Sequence, residues 1–183
     1  MARRLTGILL VGGASRRFGS PKALAVLDGE TLADRAWRVL GDACEERLAV
    51  GKAADALPLP FPVLDDGAEL RAPLAGIVAA LRAARHDVCV VLPVDCPLVT
   101  PALLRALGDA CADAAVTQTG PLPAAYARGA LPVLERRLAA GEPCLRGALA
   151  ELDPRTIEAD PTLLANVNRP EDLAALAPLR AGG

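Results

Sequence analysis

Short apolar runs alternate with helix-period patterns from one end of this chain to the other, and that alternation limits the fold more than any other feature. Leu5–Val11, Arg47–Val50, Phe61–Leu64, Val88–Leu92 and Ala114–Gln118 read as strands. Between them, Leu32–Leu40 reads as a helix with Thr31 as N-cap, and Leu74, Ile77, Val78 and Leu81 fall at i, i+3, i+4 and i+7. Pro101–Cys111 forms a helix opened by Thr100, with proline at the first helical position. Leu131–Ala139, a shorter Leu145–Leu152 and Pro170–Leu176 complete the series. Val88–Leu92 is apolar throughout, as a central strand covered on both faces must be. The pattern predicts an α/β fold, a three-layer α/β/α sandwich with a mostly parallel, Rossmann-like sheet. No repeat or long linker interrupts it, so residues 1–183 read as a single domain.

Composition supports that reading. With 52% hydrophobic residues the chain can bury one full core, built from Leu, Val and Ala because aromatics make up only 2%. The excess of Arg over Lys is read as the mark of a GC-rich genome. A net charge of −2 argues against a nucleic-acid binder. No apolar run approaches the ~20 residues of a membrane span and no leader pattern is evident, which gives the expectation of a cytoplasmic protein with no membrane contact. The cysteines Cys44, Cys89, Cys96, Cys111 and Cys144 lack C-x-x-C spacing. They read as small buried residues of a reducing compartment. His86 reads as a surface turn residue, and Trp37 as core.

Chemistry concentrates where the first strand ends. Leu9-Leu10-Val11-Gly12-Gly13-Ala14-Ser15-Arg16-Arg17-Phe18-Gly19-Ser20-Pro21-Lys22 breaks from apolar into paired glycines, two arginines and a lysine. Glycines let backbone amides approach a ligand, and the basic side chains supply charge for phosphate. The dinucleotide fingerprint G-x-G-x-x-G does not fit, because Gly12 and Gly13 are adjacent. The P-loop does not fit either, because Ser20 and Pro21 separate Gly19 from Lys22. In open α/β sheets ligands gather outside the carboxyl ends of the strands. Two further segments follow strands there: Pro93-Val94-Asp95-Cys96-Pro97, and Asp65-Asp66-Gly67 ahead of Pro73-Leu74-Ala75-Gly76-Ile77.

The basic loop resembles that of the molybdenum cofactor guanylyltransferases, roughly L-A-G-G-x-S-R-R-M-G-x-x-K. These belong to the nucleotidyltransferases of nucleotide-diphospho-sugar transferase architecture. Val11 replaces the usual Ala and Phe18 the usual Met. The resemblance extends over residues 5–176, through the D-x-P of Asp95–Pro97 and the N-V-N-x-P-E-D-L of residues 166–173. It departs from the family's pattern at Gly51, where an asparagine is usual, at Ala72, where a glycine is usual, and at Gly120, where a histidine is usual.

The resemblance implies transfer of GMP from GTP to molybdopterin with release of pyrophosphate. The nucleotide half spans about residues 1–100 and the acceptor half about 101–180. Leu10, Val11, Gly12 and Gly13 would hold base and sugar, Arg16, Arg17 and Lys22 the phosphates, and Asp95 a Mg²⁺ ion. Asn168 is the candidate second metal ligand, ahead of Asn166. Asp66 aligns as the nucleotide contact, with Asp65 one residue away and left open. Lys22, Arg16 and Asp95 are the residues expected to drive the reaction. The implied partners are GTP, molybdopterin and, transiently, proteins that deliver the cofactor to molybdoenzymes. Two readings stand beside this one: a molybdopterin cytidylyltransferase or sugar-phosphate nucleotidyltransferase of the same fold, and a non-catalytic nucleotide-binding protein. Gly13 favours guanine, since cytidine-using relatives typically carry A-A-G there.

Overall fold

Every residue of β1 (Leu5–Leu10) is buried, and its side chains alternate between two helical layers. Leu5 and Leu9 enter one apolar cluster, Ile8 and Leu10 the other. A computed structural model describes residues 3–12 and 18–176 of the chain. In it β1 lies between β4 (Glu46–Gly51) and β6 (Val88–Pro93), parallel to both, with Leu5 opposite Val88 and Leu10 opposite Val50. The short β5 (Val63–Asp65) extends the sheet beyond β4, again in parallel. A small hairpin of β2 (Val26–Leu27) and β3 (Glu30–Thr31) stands apart.

Helices α1 (Leu32–Ala43) and α3 (Pro101–Ala110) cover one face of the sheet. The second face is covered by α2 (Pro73–Ala83), α4 (Leu131–Ala139) and α5 (Leu145–Leu152). The expected caps are present: Thr31 Oγ1 accepts from Asp34 N at 3.0 Å, and Thr100 Oγ1 from Leu103 N at 3.3 Å. Each satisfies an amide the first helical turn leaves unpaired.

Beyond β6 one strand runs against the others. β8 (Gly120–Ala127) runs antiparallel to both β6 and β7 (Ala114–Thr117), and β9 (Arg155–Ile157) closes the far edge parallel to β7. The order β5-β4-β1-β6-β8-β7-β9 is thus parallel except at β8. The sequence pattern gives no sign of β8, β9 or the hairpin. It also assigns Phe61 to a strand, whereas Phe61 precedes β5 and stacks on Trp37 with ring centroids 4.1 Å apart. Trp37 is only partly buried, with the Arg47 guanidinium 4.6 Å from its ring centre. Four cysteines are buried as expected, but Cys144 is exposed at the start of α5. His86 contacts Thr6 Oγ1 at 3.1 Å, just ahead of β6.

Candidate active site

A cavity of about 480 Å³ opens at the carboxyl ends of β5, β4, β1 and β6. The sequence places Leu10, Val11, Gly12, Lys22, Asp66, Asp95 and Asn168 at a ligand site; the first six line this cavity, whereas Asn166 and not Asn168 does so from the later segment. Gly13, Arg16 and Arg17 lie outside the described residues.

Backbone forms much of the wall, because the strand ends come unusually close. Val11 N donates to Val50 O at 3.0 Å, and a Cβ added at Gly51 would stand 2.9 Å from Val11 Cγ2. No side chain fits at Gly51 unless Val11 moves. At Gly76, in the first turn of α2, a Cβ would stand 3.0 Å from Leu10 Cδ2. The missing side chain lets the helix N-terminus settle on β1 and β4.

At the β6 end three functional groups meet. Lys22 Nζ donates to Asn168 Oδ1 at 3.0 Å and approaches Asp95 Oδ2 at 3.5 Å. Lys22 comes from a short turn, Lys22–Leu24, and Asp95 from the segment between Pro93 and Pro97. Asn168 arrives from the far end of the chain and is fixed by three contacts. Val167 N donates to Asp95 O at 2.8 Å. The Cys96 thiol donates to Asn166 Oδ1 at 2.8 Å, and burial raises its pKa well above the usual thiol range, which keeps the proton in place. Asp172, in α6 (Pro170–Ala175), accepts from the amides of Asn168 and Arg169 at 2.7 and 2.8 Å. Those two amides hold its carboxyl below the usual range.

Asp95 and Asn168 thus present hard oxygen donors to one point, and the Lys22 ammonium already bonds there as a cation. Among the described residues no cluster of three or more His, Cys, Asp and Glu gathers. A divalent ion here would complete its shell with phosphate oxygens and water, as Mg²⁺ commonly does.

At the β4–β5 end stands an ion pair that the sequence reading missed. Lys52 Nζ donates to Asp66 Oδ1 at 2.6 Å, to Leu70 O at 3.1 Å and to Ala68 O. Both side chains are largely buried, at 12% and 7% exposure. The structure also separates Asp66 from its neighbour. Asp65 is exposed, and its carboxylate accepts from Ala53 N and Gly67 N, closing a turn and holding its pKa below the usual range. Only Asp66 lines the cavity. A signal for Lys52 lay in the composition. The chain has eighteen arginines but two lysines, Lys22 and Lys52, and both line this one cavity.

A mostly parallel sheet with a cleft across its strand ends, glycine-built at one wall and lined by two lysine–carboxylate pairs, fits the nucleotidyltransferase class that comparison with known proteins shows. A family model described as MobA-like NTP transferase domain matches residues 7–156, and the chain belongs to that family. A probable molybdenum cofactor guanylyltransferase of Chloroflexus aggregans is 36% identical, over 92% of this chain and 91% of the relative. One from Opitutus terrae is 38% identical, over 93% and 94%. Among solved structures, molybdopterin-guanine dinucleotide biosynthesis protein A of Archaeoglobus fulgidus superposes with a TM-score of 0.82 at 26% identity, covering 97% of this chain and all of the other. The 2-C-methyl-D-erythritol 4-phosphate cytidylyltransferase of Thermus thermophilus shares the fold, at a TM-score of 0.70 and 17% identity.

Proposed function

We propose that this chain transfers GMP from GTP to the phosphate of molybdopterin, releasing pyrophosphate. The observation that carries the reading is the meeting of Lys22, Asp95 and Asn168, with Lys22 and Asp95 on the cavity wall. No protein nucleophile is required, since the acceptor phosphate can attack the α-phosphorus in line. The chain's part is to position both substrates and to balance the charge that builds on the transferring phosphoryl group.

In this reading Leu10, Val11, Gly12 and Gly13 hold base and sugar, largely through backbone. Gly13, Arg16 and Arg17 are assigned by the sequence alone. Arg16, Arg17 and Lys22 hold phosphates, with the lysine contact strengthening as charge develops. Asp95 and Asn168 hold a Mg²⁺ ion, which when bound draws charge from the phosphate oxygens. Because the Asn168 segment is bonded to the loop after β6, nucleotide and acceptor halves act as one domain. Among the described residues no helix is long and apolar enough to cross a membrane. The reading takes the enzyme as cytoplasmic, passing its product to molybdoenzyme delivery proteins and binding no nucleic acid.

Incubating the protein with Mg²⁺, molybdopterin and each labelled nucleoside triphosphate tests the proposal. Incorporation of guanylate with stoichiometric pyrophosphate is expected. Preferential cytidylate incorporation would move the chain to the cytidylyltransferases, and no incorporation from any nucleotide would leave a binding protein.

A further inference from the structure

Lys22 and Lys52 sit at opposite ends of one cavity and have different surroundings. The strands between Asp66 and Asp95 are β5, β4, β1 and β6, three spacings of about 4.8 Å, or roughly 14 Å. That span suits a nucleotide lying across the strand ends. Its phosphates belong at the Lys22–Asp95 end, where an ammonium stands beside hard oxygen donors. The base edge then reaches the Lys52–Asp66 end, whose paired charges offer no net attraction to phosphate.

All three Lys52 ammonium protons are engaged by protein oxygens, on Asp66, Ala68 and Leu70. Lys52 therefore has no proton to offer a ligand, and its role is to fix what it holds. Asp66 Oδ1 accepts from Lys52 Nζ and from Ala68 N at 3.0 Å, so both of its acceptor positions are filled. Asp66 N donates to Gly51 O at 3.0 Å, which pins the residue to the end of β4. The second carboxylate oxygen, Oδ2, accepts no hydrogen bond from the described residues. The neighbouring position 51 has no side chain, so Asp66 supplies the polar reading group on this wall.

We propose that Lys52 is the positioning residue for base selection, locking the Asp66 carboxylate so that Oδ2 accepts from the N1–H and 2-amino edge of guanine. The inference rests on the guanylyltransferase reading and adds the residue that sets its base preference. Guanine presents two adjacent donors to such an oxygen. Hypoxanthine keeps only the N1–H, while adenine and cytosine turn a ring acceptor toward it. A guanidinium could not replace Lys52, because a planar fork does not match three oxygens gathered around one nitrogen.

The test is calorimetric binding of GTP, ITP, dGTP and CTP to wild type and to Lys52→Met, together with kcat for guanylyl transfer. The double variant Lys52→Met/Asp66→Asn covers the case in which an unpaired buried carboxylate unfolds the single variant. Wild type should favour GTP over ITP by about tenfold or more, since a hydrogen bond to a charged group is at stake. In either variant the ratio should fall to within about threefold, with kcat at saturating nucleotide altered much less than KM, as expected for a contact remote from the reacting phosphorus. A GTP-to-ITP ratio unchanged in Lys52→Met but lowered in the double variant would overturn the role of Lys52 alone, and a ratio unchanged in both would refute base reading by Asp66 as well. Sensitivity to dGTP in place of ITP would assign Asp66 to the ribose and refute base reading. A wild-type preference for CTP would remove the guanylyltransferase reading together with this inference.

Discussion

Val11 and Gly51 each depart from the pattern of the guanylyltransferases this chain resembles, and the structure makes the two departures one. A methyl added as Gly51→Ala would stand 2.9 Å from Val11 Cγ2, while its contacts to Gly12 N and Val63 Cγ1, both 3.5 Å, are ordinary. The clash thus has one partner. Val11 is buried, at 5% exposure, and its amide is bonded to Val50 O, so it cannot swing aside without disturbing the strand ends. Overpacking of this kind costs about 1–3 kcal/mol. Val11→Ala alone removes two buried carbons, at ~0.8 kcal/mol each about 1.6 kcal/mol. In the double variant the new Cβ occupies the space the valine methyl left, so its loss should fall short of the sum by about 1 kcal/mol or more. A double-mutant cycle in urea measures this, with the KM for GTP as a second readout that rises in Gly51→Ala and recovers in the pair. Additivity within about 0.5 kcal/mol would refute the compensation.

Asp95→Asn should lower kcat by about 10²-fold or more, because a neutral amide is a poor ligand for a hard cation. Its melting temperature should stay near wild type, and unchanged turnover would remove Asp95 from the reaction. Lys22→Ala should reduce kcat far more than it raises the KM for GTP; a change confined to KM would make the lysine a uniform binding contact. Cys144, exposed and with its pKa lowered by the Gly147 and Arg146 amides, should be the first thiol to react with a maleimide. Cys44 and Cys89, pushed up by burial to about 12, should label only on unfolding, which mass spectrometry of partly labelled protein would show. Asp172 has a depressed pKa in the folded state, so its contribution to stability is present above the unfolded value of about 3.9 and lost as pH falls through the folded one. The melting-temperature gap between wild type and Asp172→Asn should therefore be present at neutral pH and close toward about pH 2.

What the sequence made legible follows from how each element is buried. β1 and β6 are covered on both faces, so they read as unbroken apolar runs, and α2 shows its buried stripe at helical spacing. β8 escaped because Pro121 and Pro123 argue against a central strand. The structure accommodates them by pairing β8 with β6 only from Ala124 to Ala127, beyond both prolines, with the β7 register shifting at the same place. β9, three residues long and supported by one neighbour, has no periodicity to detect. At the site, Asp95 announced itself as a rigid carboxylate after a buried strand. Asn168 was legible only through resemblance, since its meeting with Lys22 is a property of the tertiary fold. Lys52 and Asp66 meet for the same reason, and of Asp66 and Asp65, which local spacing left open, only Asp66 lines the cavity.

The stitch between the Asn168 segment and the loop after β6 also dictates when a growing polypeptide acquires a complete site. The bond from Lys22 to Asn168 joins positions 146 residues apart. A ribosome that has delivered everything through the loop after β6 has made the glycine wall, Lys52, Asp66 and Asp95, but not the segment that ties Asp95 from outside. The Val167 and Asn168 contacts come only after α5 and β9 have been made. The Lys22–Asp95 end is therefore completed last, by a segment made well after both of its charged groups.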